Sequence, residues 1–182
     1  MSEAGRLFVA GVLPPVVAGE LARWGRGVCA AALRRLDPGA MHLTLCFLGE
    51  QSLLSVERLG EVLGGAAEAL AGVGELRVGA PVWLPPRNPR ALAVEIGDPE
   101  GGLRALQRLL AREIAATIDW APDRQRFRPH VTVARIRAGE RVGALLAPTP
   151  GLSFALERVA LFRSWLEPAG ARYEELASVG GW

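Results

Sequence analysis

Hydrophobic and polar positions along this chain of 182 residues follow two repeats, the two-residue alternation of strands and the three-to-four-residue spacing of helices. The alternating pattern predicts strands at 6–12, 42–49, 75–84, 90–97, 130–137 and 172–180, and one long strand or two at 152–166. The helical spacing predicts helices at 14–28, 52–72 and 101–118, with a further short helix at 139–147. Helices mixed with mostly antiparallel strands predict an α+β fold.

The two halves of the chain carry these elements in a similar order. Each half is approximately strand, helix, strand beginning with a histidine, helix and strand, and the two histidines lie in equivalent places. The order predicts an internal duplication, or a two-lobed body with pseudo-twofold symmetry. We therefore treat 1–182 as a single bilobal domain with one histidine motif in each half of the chain.

Composition excludes several classes of chemistry. Half of the residues are apolar, which is enough for a sizeable core, and no run of 18 apolar residues predicts a membrane-spanning helix. Cys29 and Cys46 form no CxxC motif, so we expect neither a disulfide framework nor a zinc framework, and we expect a cytoplasmic location. All 21 basic residues are Arg, which excludes catalysis through a lysine.

The chain has two histidines, and both stand in the same frame. "HLTL" begins at His42 and "HVTV" begins at His130, so each His is followed two residues later by a Thr. Because side chains alternate along a strand, His42 and Thr44 share one face, as do His130 and Thr132, and the aliphatic residues between them can enter a core. The chain has only four Thr, so composition alone does not account for the repeat.

Two imidazoles on opposite sides of a cleft can divide acid and base chemistry between them. One accepts a proton from a nucleophile while the other donates a proton to a leaving oxygen. The hydroxyls of Thr44 and Thr132 can stabilise the negative charge of a pentavalent transition state at phosphorus. Five Arg between 124 and 137 can bind phosphate, although a solvated face in an arginine-rich chain is the alternative.

Other functions remain open at this level. A non-catalytic module that binds RNA ends or nucleotides could use the same scaffold, and so could a phosphodiesterase for another small cyclic phosphate. A metallohydrolase would need more ligands than two His at this spacing offer, so we expect no metal and no cofactor. The remaining alternative is a structural protein in which the two histidines are ordinary strand residues.

Longer stretches of the chain resemble a known family. "RLFVAGVLP", "HLTLCFLGE", "FRPHVTVARIR" and "LFRSWLEPAGARYEEL" resemble the 2H phosphoesterases, and among them the bacterial and archaeal "2'-5' RNA ligase" branch of RNA 2',3'-cyclic phosphodiesterases. The resemblance implies two pseudo-symmetric lobes, each a mostly antiparallel sheet with outer helices, and an active-site cleft between them. It implies hydrolysis of RNA 2',3'-cyclic phosphate ends to 2'-phosphomonoesters, with a weak ATP-independent 2'-5' ligation in reverse.

The resemblance also implies roles for particular residues. His42 would be the proton donor to the departing 3' oxygen, His130 the proton acceptor that activates water, and Thr44 and Thr132 would hold the phosphate. RNA ends carrying 2',3'-cyclic phosphates would be the partners of a monomer that uses neither a metal nor a membrane.

Some positions fit the family pattern less simply. Many relatives carry Arg where this chain has Cys46, which nominally lies on the face of the first His. Arg135 matches an Arg that commonly follows the second motif, yet simple alternation places it on the face opposite His130, so only a bulge, a twist or a strand end would bring it to the cleft. Phe8 and Phe47 could stack on a base or could belong to the core, and Tyr173 could line the cleft or pack.

Overall fold

The computed structural model describes residues 4–28, 31–144, 147–167 and 170–180. Within these residues the strands are β1 Ala4–Val12, β2 Leu33–Arg35, β3 His42–Ser52, β4 Leu76–Leu84, β5 Ala91–Gly97, β6 His130–Ile136, β7 Ser153–Phe154, β8 Arg158–Glu167 and β9 Gly170–Gly180. The helices are α1 Pro15–Val28, α2 Val56–Gly65, α3 Ala67–Ala71 and α4 Gly102–Thr117, with short 3-10 turns at Pro38–Ala40 and Leu53–Ser55.

The strands form one antiparallel sheet that has a thin joint in its middle. The strand order is β7-β4-β5-β6-β3-β1-β8-β9, and β2 pairs with β6 beside this path. The joint lies between β6 and β3, where a single pair, Leu43 with Val131, is in register. The joint divides the sheet into two half-sheets, each with a histidine strand at its inner edge.

The half-sheets have equivalent orders, and the chain exchanges strands between them. Outward from the joint, one half-sheet reads β3-β1-β8-β9 and the other reads β6-β5-β4-β7. The chain crosses the joint after each histidine strand: β4, which follows β3, pairs with β5, and β8, which follows β6 and the short strand β7, pairs with β1. The α+β class and the two-lobed antiparallel architecture are confirmed, and each lobe is built from both halves of the chain.

The helices exchange in the same way and cover one face of the sheet. Helix α1, which follows β1, packs against β6, while α4, which follows β5, packs against β3. Gly25 allows the first contact, because a Cβ at this position would lie 2.8 Å from Val133 Cγ1. The main core contains Leu7 and Leu43 of one half-sheet together with Val131 of the other, so a single core extends beneath the joint.

Most predicted elements are confirmed, and the differences have local causes. The helix predicted at 52–72 divides into a 3-10 turn, α2 and α3 around Gly64 and Gly65, where two residues of poor helix propensity adjoin. Its predicted apolar face is nevertheless buried at Leu59, Leu63 and Leu70. The segment at 152–166 is two strands because β7 pairs with β4 and β8 pairs with β1 in the other half-sheet.

Two short elements were predicted wrongly or missed. The described residues of the helix predicted at 139–147 are irregular, while 145–146 lie outside the described residues. There Trp83 Nε1 donates to the Gly143 carbonyl 3.0 Å away, a contact that a helical hydrogen-bond pattern would not provide. Strand β2 has three residues, too few to show alternation. No helix in the described part of the chain is long and apolar enough to cross a membrane.

Candidate active site

The two histidine motifs open the strands that meet at the joint. The aliphatic residues of both motifs are in the core as expected, with Leu43 and Val131 fully buried. Extending the Leu43–Val131 register by one residue in either direction places His42 opposite Thr132 and Thr44 opposite His130. All four side chains line one cavity of about 280 Å³, so the structure brings the predicted residues together on a pseudo-twofold axis.

Both imidazoles are held by the same backbone contact. His42 Nδ1 lies 3.0 Å from the carbonyl oxygen of Ala40, and His130 Nδ1 lies 2.8 Å from that of Arg128. A carbonyl can only accept, so Nδ1 of each ring carries the hydrogen and donates it. Each Nε2 is therefore the atom that gains and loses a proton, and it is the ring nitrogen left for the cavity.

Aromatic rings pack around His42. The centroid of the Phe8 ring is 4.8 Å from that of His42, the Tyr173 ring meets His42 edge-on at 5.0 Å, and Phe162 lies 6.4 Å away. This burial removes water from the imidazole and lowers the pKa of His42 from 6.5 to about 4, although the Ala40 carbonyl opposes the shift. The nearby charges of Arg135 and His130 lower it further. His42 is neutral near pH 7 in the unliganded protein.

A bulge brings Arg135 to the cleft. In the pairing of β5 with β6, Leu92 is opposite Ala134 and Ala93 is opposite Thr132, so Val133 is an extra residue. The bulge leaves both Val133 and Ala134 on the core side and returns Arg135 to the face of His130. Arg135 lines the cavity with both imidazoles, so the bulge that its position required is present.

The same bulge occurs at the same place in the first motif. In the pairing of β1 with β3, Val9 is opposite Cys46 and Ala10 is opposite Thr44, which makes Leu45 the extra residue. The Cys46 side chain is therefore buried, beside Gln107 of α4, and burial raises the pKa of its thiol to about 12. The expectation that Cys46 shares the face of His42 is wrong, and Phe47 occupies the position equivalent to Arg135.

The two candidate phenylalanines lie in different surroundings. Phe8 is 4% exposed and contacts His42, so its ring has no open face for a nucleobase. The burial of Phe8 does not favour the expected substrate contact, and its ring forms part of the wall that desolvates His42. Phe47 is 52% exposed. Tyr173 lines the cavity and also contacts His42.

The cavity continues into a wider trough of about 430 Å³. Thr44 and His130 line both spaces, as do Leu84 and Pro85. Sequence reasoning had not singled out Arg90, which lines the cavity, or Trp120, which lines the trough. Arg90 is the first residue of the strand predicted at 90–97, and Trp120 lies two residues beyond the helix predicted at 101–118, so periodicity carries little signal for either position.

The side chains around the two imidazoles also bear on metal binding. The residue ranges that the structure describes contain no group of three or more His, Cys, Asp or Glu side chains arranged to hold a metal ion. The two imidazoles therefore have no carboxylate or thiolate partners for a shared ion among these residues. The expectation of a metal-free site remains a prediction for a chelator experiment.

Comparisons with known proteins agree with this geometry. The family model described as the 2'-5' RNA ligase superfamily matches residues 13–168. An Aeropyrum pernix protein named RNA 2',3'-cyclic phosphodiesterase is 31% identical, covering 70% of this chain and 72% of its own length. An Escherichia coli protein with the same name is 29% identical over 97% of this chain and 96% of its own. A crystal structure from Thermus thermophilus superposes with a TM-score of 0.78 at 26% identity, covering 96% of this chain and 97% of that one.

Fold and site together define a two-lobed α+β protein in which two His-x-Thr strands face one cleft, the architecture of the 2H phosphoesterases. The chain belongs to the 2'-5' RNA ligase superfamily.

Proposed function

We propose that the protein hydrolyses RNA 2',3'-cyclic phosphate ends to 2'-phosphomonoesters by acid–base catalysis between His42 and His130. The observation that carries the proposal is the pairing of two equivalent strands that present both imidazoles and both threonine hydroxyls to one cavity. The names of the Aeropyrum pernix and Escherichia coli relatives support the choice of substrate.

The proposed step conserves atoms and protons. A water oxygen attacks phosphorus while Nε2 of His130 accepts its proton. The bond from phosphorus to the 3' oxygen breaks, and Nε2 of protonated His42 donates a proton to that oxygen. Hydroxyls of Thr44 and Thr132 donate hydrogen bonds to the non-bridging oxygens, while Arg135 supplies positive charge. Proton exchange with solvent then restores both imidazoles.

The low pKa of His42 adds a requirement to this assignment. His42 is neutral near pH 7 in the empty cleft, whereas a proton donor must be charged. A bound phosphodiester carries a negative charge beside the ring and offsets the field of Arg135, so it raises the pKa of His42. In this proposal, substrate binding favours protonation of His42, which is neutral in the free protein.

RNA ligation follows from the same geometry with a different nucleophile. A 5' hydroxyl that replaces water as the nucleophile would produce a 2'-5' phosphodiester, since the bond to the 3' oxygen still breaks. The strained cyclic phosphate supplies the driving force, so no ATP is needed. We propose this ligation as a minor activity of the protein. Because all of the named groups come from one chain, we propose that the protein acts as a monomer. We also propose a cytoplasmic location.

The deciding experiment is incubation with an oligoribonucleotide that ends in a 2',3'-cyclic phosphate, in EDTA, followed by analysis of the product. We expect a 2'-phosphate product, and a loss of roughly 10²–10⁴-fold in each of His42→Ala and His130→Ala. Thr149→Ala, at a threonine outside both motifs, is the matched control and should keep wild-type activity.

Other outcomes would point elsewhere. A 3'-phosphate product would contradict the proposed bond cleavage, and activity that EDTA abolishes would contradict the absence of a metal. Binding of the oligonucleotide by folded protein with no turnover would favour the non-catalytic binding module.

A further inference from the structure

A smaller pocket of about 150 Å³ adjoins the catalytic cavity. We call it the arginine pocket, because Arg34, Arg35 and Arg135 are in its lining. Ala40, Arg135 and Tyr173 line both spaces, so a group attached to a phosphate in the cavity reaches the arginine pocket directly. The proposed reaction uses Arg135 and gives the other two arginines no role.

The register of the sheet places two of these arginines side by side. Strand β2 pairs with β6 so that Arg34 is directly opposite Arg135. Residues that are directly opposite in an antiparallel pair share a face of the sheet, and like charges in such positions repel each other. An anion bound between the two guanidinium groups would offset this repulsion. The pairing therefore favours a negatively charged ligand at this place.

The lining of the two spaces offers little negative charge of its own. Among the described residues that line the cavity, none is acidic. The carboxylate in the lining of the arginine pocket belongs to Asp37, which is exposed. Neither Arg35 nor Arg135 forms an ion pair with a described residue. The arginine pocket thus carries a net positive charge where it opens into the cavity.

The segment that carries Arg34 is fixed relative to the first histidine. Just after β2, the Leu36 amide donates a hydrogen bond to the Val133 carbonyl at 2.9 Å. The same segment continues through a 3-10 turn to Ala40, whose carbonyl oxygen holds Nδ1 of His42. A ligand bound at Arg34 therefore has a defined position relative to the imidazole of His42.

The proposed direction of cleavage determines which part of the substrate lies on this side of the cavity. In the proposed reaction His42 protonates the 3' oxygen, and two residues that contact His42, Ala40 and Tyr173, line the arginine pocket. In a ribose, C3' is bonded to C4', which carries the 5' carbon, whereas the base is attached to C1' beside C2'. A ribose whose 3' oxygen points to His42 therefore directs its 5' substituent toward the arginine pocket.

We propose that the arginine pocket binds the phosphodiester on the 5' side of the terminal nucleotide, between Arg34 and Arg135 and with Arg35 at its exposed rim. The inference rests on the proposed function, because it uses cleavage of the bond to the 3' oxygen at His42. Arginine suits this ligand, since a planar guanidinium donates paired hydrogen bonds to phosphate oxygens. The protein thereby distinguishes the end of an RNA chain from a free nucleoside 2',3'-cyclic phosphate.

The test compares two dinucleotides that end in adenosine 2',3'-cyclic phosphate and differ in their linkage. One has a phosphodiester, and the other has an uncharged methylphosphonate, tested as separated diastereomers. The first residue is a 2'-deoxynucleoside in both, so no neighbouring hydroxyl attacks the linkage. For the wild type we expect the methylphosphonate to raise KM roughly 10- to 100-fold with kcat nearly unchanged, because hydrogen bonds to charged groups contribute this much to binding.

The salt dependence of KM gives a second readout of the same charge. Each phosphate contact in a single strand contributes about 0.7 to the slope of log affinity against log salt concentration. In the wild type, the slopes for the two dinucleotides should differ by about this amount. Equal slopes would show that no arginine contacts the phosphodiester, and they would overturn the inference.

Variants locate the effect at Arg34. Arg34→Gln should raise KM for the phosphodiester dinucleotide roughly 10- to 100-fold and should leave KM for the methylphosphonate nearly unchanged. Arg34→Lys keeps the charge without the planar group and should retain part of the difference. Arg108→Gln removes the same charge from an exposed position on α4, outside both linings, and should leave both KM values unchanged. Thermal unfolding of each variant checks that the fold is intact.

The outcomes separate this inference from the proposed function. Equal kcat/KM values for the two dinucleotides in the wild type would overturn the phosphodiester site and leave the hydrolase intact. A difference that persists in Arg34→Gln would contradict the assignment to Arg34, as would an equal rise of both KM values in that variant. Absence of hydrolysis of both dinucleotides by folded wild type would contradict the proposed function itself.

Discussion

At the scale of single residues, the two catalytic candidates have the same local contact and different surroundings. Each imidazole donates from Nδ1 to the carbonyl of the residue two positions earlier, a contact that the strand start provides by itself. Within the described residues, His42 is the histidine that aromatic rings surround, and these rings come from strands distant in the chain. The low pKa of His42 therefore originates in packing, and it can be measured.

His42 should make the protein sensitive to acid. The unfolded chain protonates this ring below about pH 6.5, while the folded protein does so only below about pH 4. Between these values the unfolded state binds more protons, so the free energy of unfolding falls as the pH falls, by about 2–3 kcal/mol between about pH 7.5 and about pH 4.5. Urea unfolding of the wild type and His42→Gln at both pH values should show their stability difference change by this amount. A difference that is independent of pH would show that burial does not lower the pKa of His42.

The division of acid and base roles can be tested through the leaving group. Replacing the 3' oxygen of the cyclic phosphate by sulfur produces a thiolate, which departs without a proton. His42→Ala should then lose little activity on the sulfur substrate despite a roughly 10²–10⁴-fold loss on the oxygen substrate, whereas His130→Ala should lose activity on both. If His130→Ala is the variant that recovers on the sulfur substrate, the two roles are reversed.

At the scale of elements, the paired bulges determine which side chains reach the cleft. Without them, strict alternation would turn Arg135 and Phe47 toward the helices. The extra residues Leu45 and Val133 occupy the fourth position of their motifs, so each His-x-Thr strand delivers a third side chain to the cleft five residues after its histidine. The bulge is thus part of the repeated unit.

Helix α1 supports the second bulge, and a pair of glycine substitutions tests this contact. Gly25→Ala would place a Cβ 2.8 Å from Val133 Cγ1, whereas a Cβ at Gly19 has nothing within 4 Å. Gly19→Ala should raise the free energy of unfolding by about 0.5–1 kcal/mol, because alanine favours the helix. Gly25→Ala should lower it by about 1–3 kcal/mol through overpacking and should reduce turnover, because Val133 adjoins Thr132. Equal effects of the two substitutions on urea unfolding would contradict a tight contact with the bulge.

At the scale of the whole molecule, the two lobes are interlocked. The sheet joint consists of one registered pair, but each half of the chain contributes two strands and a helix contact to the opposite lobe. The main core includes residues from both half-sheets. Separation of the lobes would therefore expose the core of each, which makes independent folding unfavourable.

We expect the protein to unfold in one cooperative transition. Far-ultraviolet circular dichroism reports on the whole sheet, and tryptophan fluorescence samples both half-sheets through Trp83 in β4 and Trp165 in β8. The two signals should change at the same urea concentration. Separate midpoints would show that the joint divides the molecule into lobes that fold independently.

The sequence by itself determined the features that depend on near neighbours along the chain. Alternation placed His42 and Thr44 on one strand face and Leu43 in the core, helical spacing identified the buried sides of α1 and α4, and composition excluded lysine chemistry. The repeated order of elements also predicted two lobes, because it reflects a local pattern that occurs twice.

Only the tertiary structure decided the features that depend on distant partners. The exchange of strands, the bulge that turns Arg135 into the cleft and Cys46 out of it, and the rings that lower the pKa of His42 all arise from contacts between separate segments. A bulge is a mismatch between two strands, and desolvation is a property of everything packed around a group, so neither can be read from one stretch of sequence. The chain specifies which chemical groups are available, and long-range packing determines where they meet and in which protonation state.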